Sequence, residues 1–261
     1  MNWATAAQAA RDLAYNNNTA VPEAADLIAE RNASSARMPP PLGAQPYGPS
    51  EREQWDLWPR PGAPMLVFIH GGYWQRNRRQ DFSCMAEGAL AMGWGFGLCG
   101  YALAPDATMT QIAAQIHAAL DWLQRAGHGP VVLSGWSAGG HLTAMGVSHP
   151  HVRAGVAISG IYELGPIRDT YLNAPLKLTD EELEALSPQR LPVVMKPMAV
   201  AYGSAELPEL CRQSRHFHGK RAEAHAPGPL IPVAGSNHFT ILDQLRRPGG
   251  SLLRAAADLL A

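Results

Sequence analysis

With 261 residues, 46% hydrophobic and 16% charged, the chain can bury one large core and has too little charge for an extended disordered region. Its formal net charge of -1, with Arg76, Arg78 and Arg79 as the one basic cluster, argues against nucleic acid as a partner. Three widely spaced cysteines suggest neither a disulfide framework nor a thiolate metal site, and no apolar run resembles a signal peptide or a membrane span; a cytoplasmic protein is expected.

Residues 1–50 read as an N-terminal helix and a connector. The helix begins near Val21-Pro22, where proline fits a first turn, and runs through Glu23 to Arg31. The stretch Met38-Pro39-Pro40-Pro41-Leu42-Gly43 lacks donors for a central strand, whereas Gln54 to Trp58 alternates as an early edge strand would. The continuous apolar run Met65 to Ile69 predicts a strand buried on both faces.

Strands and helices then alternate. A helix is expected over Asp81 to Met92, a strand over Gly95 to Tyr101 and a helix over Met109 to Arg125. A strand over Pro130 to Leu133 leads into a helix over Gly140 to Val147, and another strand covers Ala154 to Ser159. In the irregular stretch beyond, Thr179 or Asp180 can cap a short helix, and residues 162–192 are available as a partial lid. No large cap domain fits there. Strand Pro197 to Tyr202, helix Pro208 to Lys220 and strand Pro229 to Val233 complete one α/β domain over 1–261, a mainly parallel sheet with helices on both faces.

Between the strand at 130–133 and the helix that follows stands Gly135-Trp136-Ser137-Ala138-Gly139, the G-x-S-x-G of a nucleophile elbow. The turn strains the serine backbone and leaves no room for a Cβ at Gly135 or Gly139. A serine hydroxyl is a weak nucleophile at neutral pH, so Ser137 needs a base, an acid to orient that base, and donors for an oxyanion. Of ten histidines, His238 alone lies in a loop after the final strand, the place for the base. Glu206 occupies the loop after the strand ending at Tyr202 and is preferred as acid over Glu209, which falls in the next helix's first turn. The loop His70-Gly71-Gly72-Tyr73-Trp74 offers the N–H groups of Gly72 and Tyr73, and Ala138 completes the oxyanion hole. Tyr73, Trp74 and His70 are candidates for lining the substrate pocket, although His70 also reads as an imidazole fixing the loop. The pairs His149/His151 and His216/His218 lack a carboxylate set for metal binding, and the arginine cluster reads as facing water in preference to the alternative, an amino-acid carboxylate.

These residues carry a resemblance. H-G-G-Y-W at 70–74, Tyr101 to Asp106, G-W-S-A-G-G-H at 135–141 and N-H-F at 237–239 together resemble the kynurenine formamidase group of α/β-hydrolases, near the hormone-sensitive-lipase-like esterases. The resemblance runs from about Asn16 onward. It implies an α/β-hydrolase fold and hydrolysis of N-formyl-L-kynurenine without cofactor or metal, with Ser137, Glu206 and His238 as triad. A carboxylesterase on short acyl or aryl esters is the alternative. Either substrate is a small molecule, and a homo-oligomer is left open. Such enzymes often carry Asp where this chain has Glu206, so the longer side chain must seat its histidine differently.

Overall fold

The computed structural model describes residues 2–261. Eight strands form one sheet in the order β1-β2-β4-β3-β5-β6-β7-β8. They are β1 (Leu42–Pro46), β2 (Gln54–Trp58), β3 (Met65–Ile69), β4 (Gly95–Cys99), β5 (Val131–Trp136), β6 (Val152–Ile158), β7 (Met198–Gly203) and β8 (Leu230–Val233). From β4 to β8 every pairing is parallel, while β1 pairs with β2 and β2 with β4 antiparallel.

The two-residue period of a strand divides the core in two. Val67 and Ile69 of β3 pack on one face with Ile112, Ile116 and Leu120 of helix Met109–Arg125. Leu66 and Phe68 pack on the other with Phe82, Met85, Leu252 and Leu253. Burying each such side chain contributes about 1.5–3 kcal/mol, so the central strands are fixed from both sides. The helix over 109–125 has its expected limits because Thr108 and Gln111 form a reciprocal capping box at its start.

Three expectations need correction. Gln54–Trp58 is not an edge strand: β1, just beyond the prolines, pairs outside it, and Trp55 and Leu57 are fully buried. The helix expected over Asp81 to Met92 is divided into a 3-10 segment, Arg79–Met85, with Phe82 outside helical geometry, and an α-helix, Ala86–Ala91. Near the N-terminus the main helix is Ala24–Ala36, later and longer than read, because Ser35 and Arg31 bond Asp81 O across to the 3-10 segment. Two short helices, Gln8–Leu13 and Asn17–Ala20, precede it.

The parallel strands share one carboxyl edge. The loops after β3, β5, β7 and β8 all open there, where open α/β sheets bind ligands. Among the described residues no helix is long and apolar enough to cross a membrane.

Candidate active site

β5 turns into helix Ala138–Gly146 through Ser137, whose backbone lies at φ 59° and ψ -116°. Few residues other than glycine adopt that conformation, and holding it costs about 1–3 kcal/mol. The surroundings enforce it: Ser137 N–H donates to Ile158 O at 2.8 Å, and Ser137 O accepts from His141 N–H at 3.1 Å. A Cβ on Gly135 would come within 2.3 Å of Gly139 O, and one on Gly139 within 2.0 Å of Ile69 O, so both glycines are required by close approach.

His238 follows β8, and its Nδ1 lies 2.8 Å from Glu206 Oε2. That contact places the ring proton on Nδ1 and leaves Nε2 as a proton acceptor. The peptide carbonyl of His238 accepts from Trp136 Nε1 at 2.7 Å, and the two rings lie 4.7 Å apart between centroids. Glu206 is wholly buried at its side chain. Its Oε1 accepts from Ser159 Oγ at 2.5 Å and from Gly203 N–H at 2.6 Å, so its charge is met by hydrogen bonds in place of water. The extra methylene relative to aspartate is absorbed by folding the side chain back onto its own turn, where Glu206 N–H bonds Gly203 O. Glu209 points elsewhere, with Oε2 2.7 Å from Arg212 Nη2.

The loop after β3 is left-handed at three successive residues, with φ of 115° at Gly72, 51° at Tyr73 and 58° at Trp74. The Tyr73 hydroxyl donates to Tyr15 O at 2.6 Å and accepts from Asn17 Nδ2 at 3.2 Å, which pins the phenol. Gly71 O accepts from Asn77 Nδ2 at 3.0 Å. The backbone N–H groups of Gly72, Tyr73 and Ala138 have no backbone acceptor among the described residues.

Ser137, His238, Gly72 and Tyr73 line one cavity of about 120 Å³. Trp74 and His70 do not border it, contrary to expectation. Trp74 points into the core, edge-on to His141 at 5.1 Å. His70 lies stacked on Tyr101 at 4.4 Å, with Nδ1 2.9 Å from Gly71 O. The arginine cluster also divides: Arg79 is buried against Asp56 at 3.0 Å rather than solvated, and exposed Arg76 borders the cavity.

The sequence reading missed the cavity's opposite wall. It comes from Tyr15 to Asn18, Ile28 and Arg31, with Tyr171 from the 162–192 stretch. Trp3 Nε1 donates to Asp169 Oδ2 at 2.8 Å and Tyr171 N–H to Asp12 Oδ1 at 2.9 Å, lacing the two segments together. Trp136 and Ser159 were also unassigned. Only their positions, inside the pentapeptide and directly after β6, could have indicated them.

Burial pushes His70 and His141 down to about 4, from an ordinary 6.5. Both rings stay neutral near pH 7. Between pH 6.5 and 4 the unfolded chain binds protons that the folded chain refuses. The stability conferred by keeping these rings neutral is therefore complete above 6.5 and is lost as pH falls toward 4, by roughly 3 kcal/mol per ring. Urea unfolding across this range should give a shallower slope for His141→Gln than for wild type; parallel slopes would refute the assignment of His141.

An alpha/beta hydrolase family model matches residues 66–258. The chain is 30% identical over 220 residues to kynurenine formamidase of Danio rerio, covering 77% of this chain and 75% of that one. It is 31% identical over 223 residues to kynurenine formamidase of Salmo salar, with the same coverage. Esterases stand among the further relatives. A candidate thioesterase from Silicibacter sp. has a crystal structure that superimposes with a TM-score of 0.85 at 28% identity, covering 94% of this chain and 98% of that one.

Proposed function

Since the chain belongs to the alpha/beta hydrolase family, among its kynurenine formamidase-like members, we propose that it cleaves aryl formamides, taking N-formyl-L-kynurenine to kynurenine and formate through a formyl-enzyme on Ser137. It is a hydrolase of the formamide and ester class. The serine mechanism is supported by the 2.8 Å contact of Glu206 with His238, which lines the cavity together with Ser137, and the choice of a formamide by the similarity to two kynurenine formamidases at 30% and 31% identity.

In this mechanism Ser137 Oγ attacks the formyl carbon while His238 Nε2 takes its proton. The negative oxygen of the tetrahedral intermediate is held by the N–H groups of Gly72, Tyr73 and Ala138. The C–N bond then breaks, and His238 returns the proton to the departing aryl amine. Water, deprotonated by His238, attacks the formyl ester and releases formate, and Ser137 regains its proton. Glu206 keeps the imidazole in the required tautomer and stabilises its cationic form.

Formyl is the smallest acyl group, and a cavity of about 120 Å³ walled by Tyr15, Tyr73, Trp136 and Tyr171 favours a one-carbon acyl group and a flat ring over a long acyl chain. Carboxylester hydrolysis is the second reading, because the same groups serve it and esterases are among the relatives. The test compares kcat/KM for N-formyl-L-kynurenine and a short-chain p-nitrophenyl ester, with Ser137→Ala as the blank. A value near or above ~10⁴ M⁻¹s⁻¹ for the formamide is expected. Ester turnover with negligible formamide turnover would make the protein a carboxylesterase.

A further inference from the structure

Two arginines border the Ser137 cavity, and their circumstances differ. Arg31 is committed to the protein. Its Nε donates to Asp81 O at 3.2 Å, its Nη2 to Asn32 Oδ1 at 2.9 Å, and the guanidinium covers the Phe82 ring at 4.0 Å. Arg76 is exposed and forms no ion pair with any described carboxylate.

Its backbone, however, is fixed. Arg76 N–H donates to Gly72 O at 3.1 Å, and Arg76 O would lie 2.6 Å from a Cβ on Gly72. The same tight turn that presents the Gly72 and Tyr73 amides thus sets where the Arg76 side chain starts. No Asp or Glu lines the cavity. Asp12, which reaches the rim through Tyr171, is already bonded to Tyr171 N–H at 2.9 Å and Gln8 Nε2 at 3.0 Å. A guanidinium on this rim would offer a substrate a planar fork of donors suited to a carboxylate.

We propose that Arg76 binds a carboxylate on the leaving-group side of the substrate, selecting aryl formamides that carry an amino-acid tail over neutral ones. The proposal rests on the formamidase reading, because a formyl group has no substituent and any charge to be recognised must then sit on the amine. Arg76 is a specificity residue in this scheme and takes no part in bond making.

The experiment compares N-formyl-L-kynurenine with 2′-formamidoacetophenone, the same aryl ketone formamide without the amino-acid tail, in wild type, Arg76→Gln and Arg76→Lys. The ratio of kcat/KM for the substrate with the zwitterionic amino-acid tail over the one without it should fall roughly tenfold in Arg76→Gln, the worth of one partly exposed charge-assisted hydrogen bond to the carboxylate, and the fall should lie in KM. Arg76→Lys should recover part of it, and in wild type added KCl should erode the ratio. An unchanged ratio, or a loss lying wholly in kcat, would overturn the assignment.

If wild type cleaves neither formamide but does cleave aryl esters, the formamidase reading has failed separately. Arg76 is then measured with 3-acetoxybenzoate against phenyl acetate. A fall confined to the charged ester retains the role of Arg76, and equal change in both removes it.

Discussion

Replacing Ser137 with alanine is expected to lower kcat by roughly 10⁴-fold or more on every substrate the enzyme accepts, while the melting temperature stays within about 2 °C of wild type. The first part follows from the proposed mechanism: without Oγ there is no acyl-enzyme, and what survives is positioning and the oxyanion N–H groups. The second follows from the elbow, whose shape is imposed by the Ser137 backbone bonds to Ile158 and His141 and by the glycines around it. Ser137→Gly sharpens the test. Glycine accepts φ 59° and ψ -116° without steric cost, so this variant should be inactive and about 1 kcal/mol more stable than wild type after its greater chain entropy is counted. Kinetics on purified variants with matched urea curves would decide it, and near-wild-type turnover by Ser137→Ala would place the nucleophile elsewhere.

Glu206→Gln should be the next most severe change, lowering kcat by about 10²–10⁴-fold at pH 7, whereas Glu209→Gln should change it less than about threefold. A glutamine can turn its NH₂ toward His238 Nδ1, which drives the ring proton onto Nε2 and removes the base. It also replaces a carboxylate that receives Ser159 Oγ, Gly203 N–H and His238 Nδ1 with an amide offering one acceptor oxygen. A buried donor left unpaired costs about 1–3 kcal/mol, so Glu206→Gln should lose stability as well. Glu209 gives up only a partly exposed pair with Arg212, worth about 1 kcal/mol or less. Side-by-side kinetics of the two variants would test the assignment, and the reverse ranking would move the acid to Glu209.

What was legible in the sequence was whatever depends on local pattern. Met65–Ile69 is apolar without a break because β3 is covered on both faces, and helix Met109–Arg125 declares its start through Thr108 and Gln111. Glu206 and His238 could be placed because each falls in the loop after a readable strand. The errors came from contacts between segments far apart. Trp74 and Tyr73 are adjacent aromatics after the same strand, and only the loop's left-handed turn sends one into the core and the other to the cavity. Asn17, to which the sequence assigned no role, is buried against Tyr73 across 56 residues. Arg79 reads as solvated until Asp56, on a neighbouring strand, is brought against it.

The lacing of the N-terminal segment also bears on how the protein is made. Trp3, Asp12 and Tyr15 precede their partners Asp169, Tyr171 and Gln213 by 159 to 198 residues along the chain. During synthesis the strands β3 to β5 can pair while Trp3 and Asp12 still await those partners, whereas Tyr15 already has the Tyr73 hydroxyl to bond. The wall that Tyr171 adds to the Ser137 cavity, and the anchoring of Trp3 and Asp12, therefore come only after the strand that carries the elbow has been made.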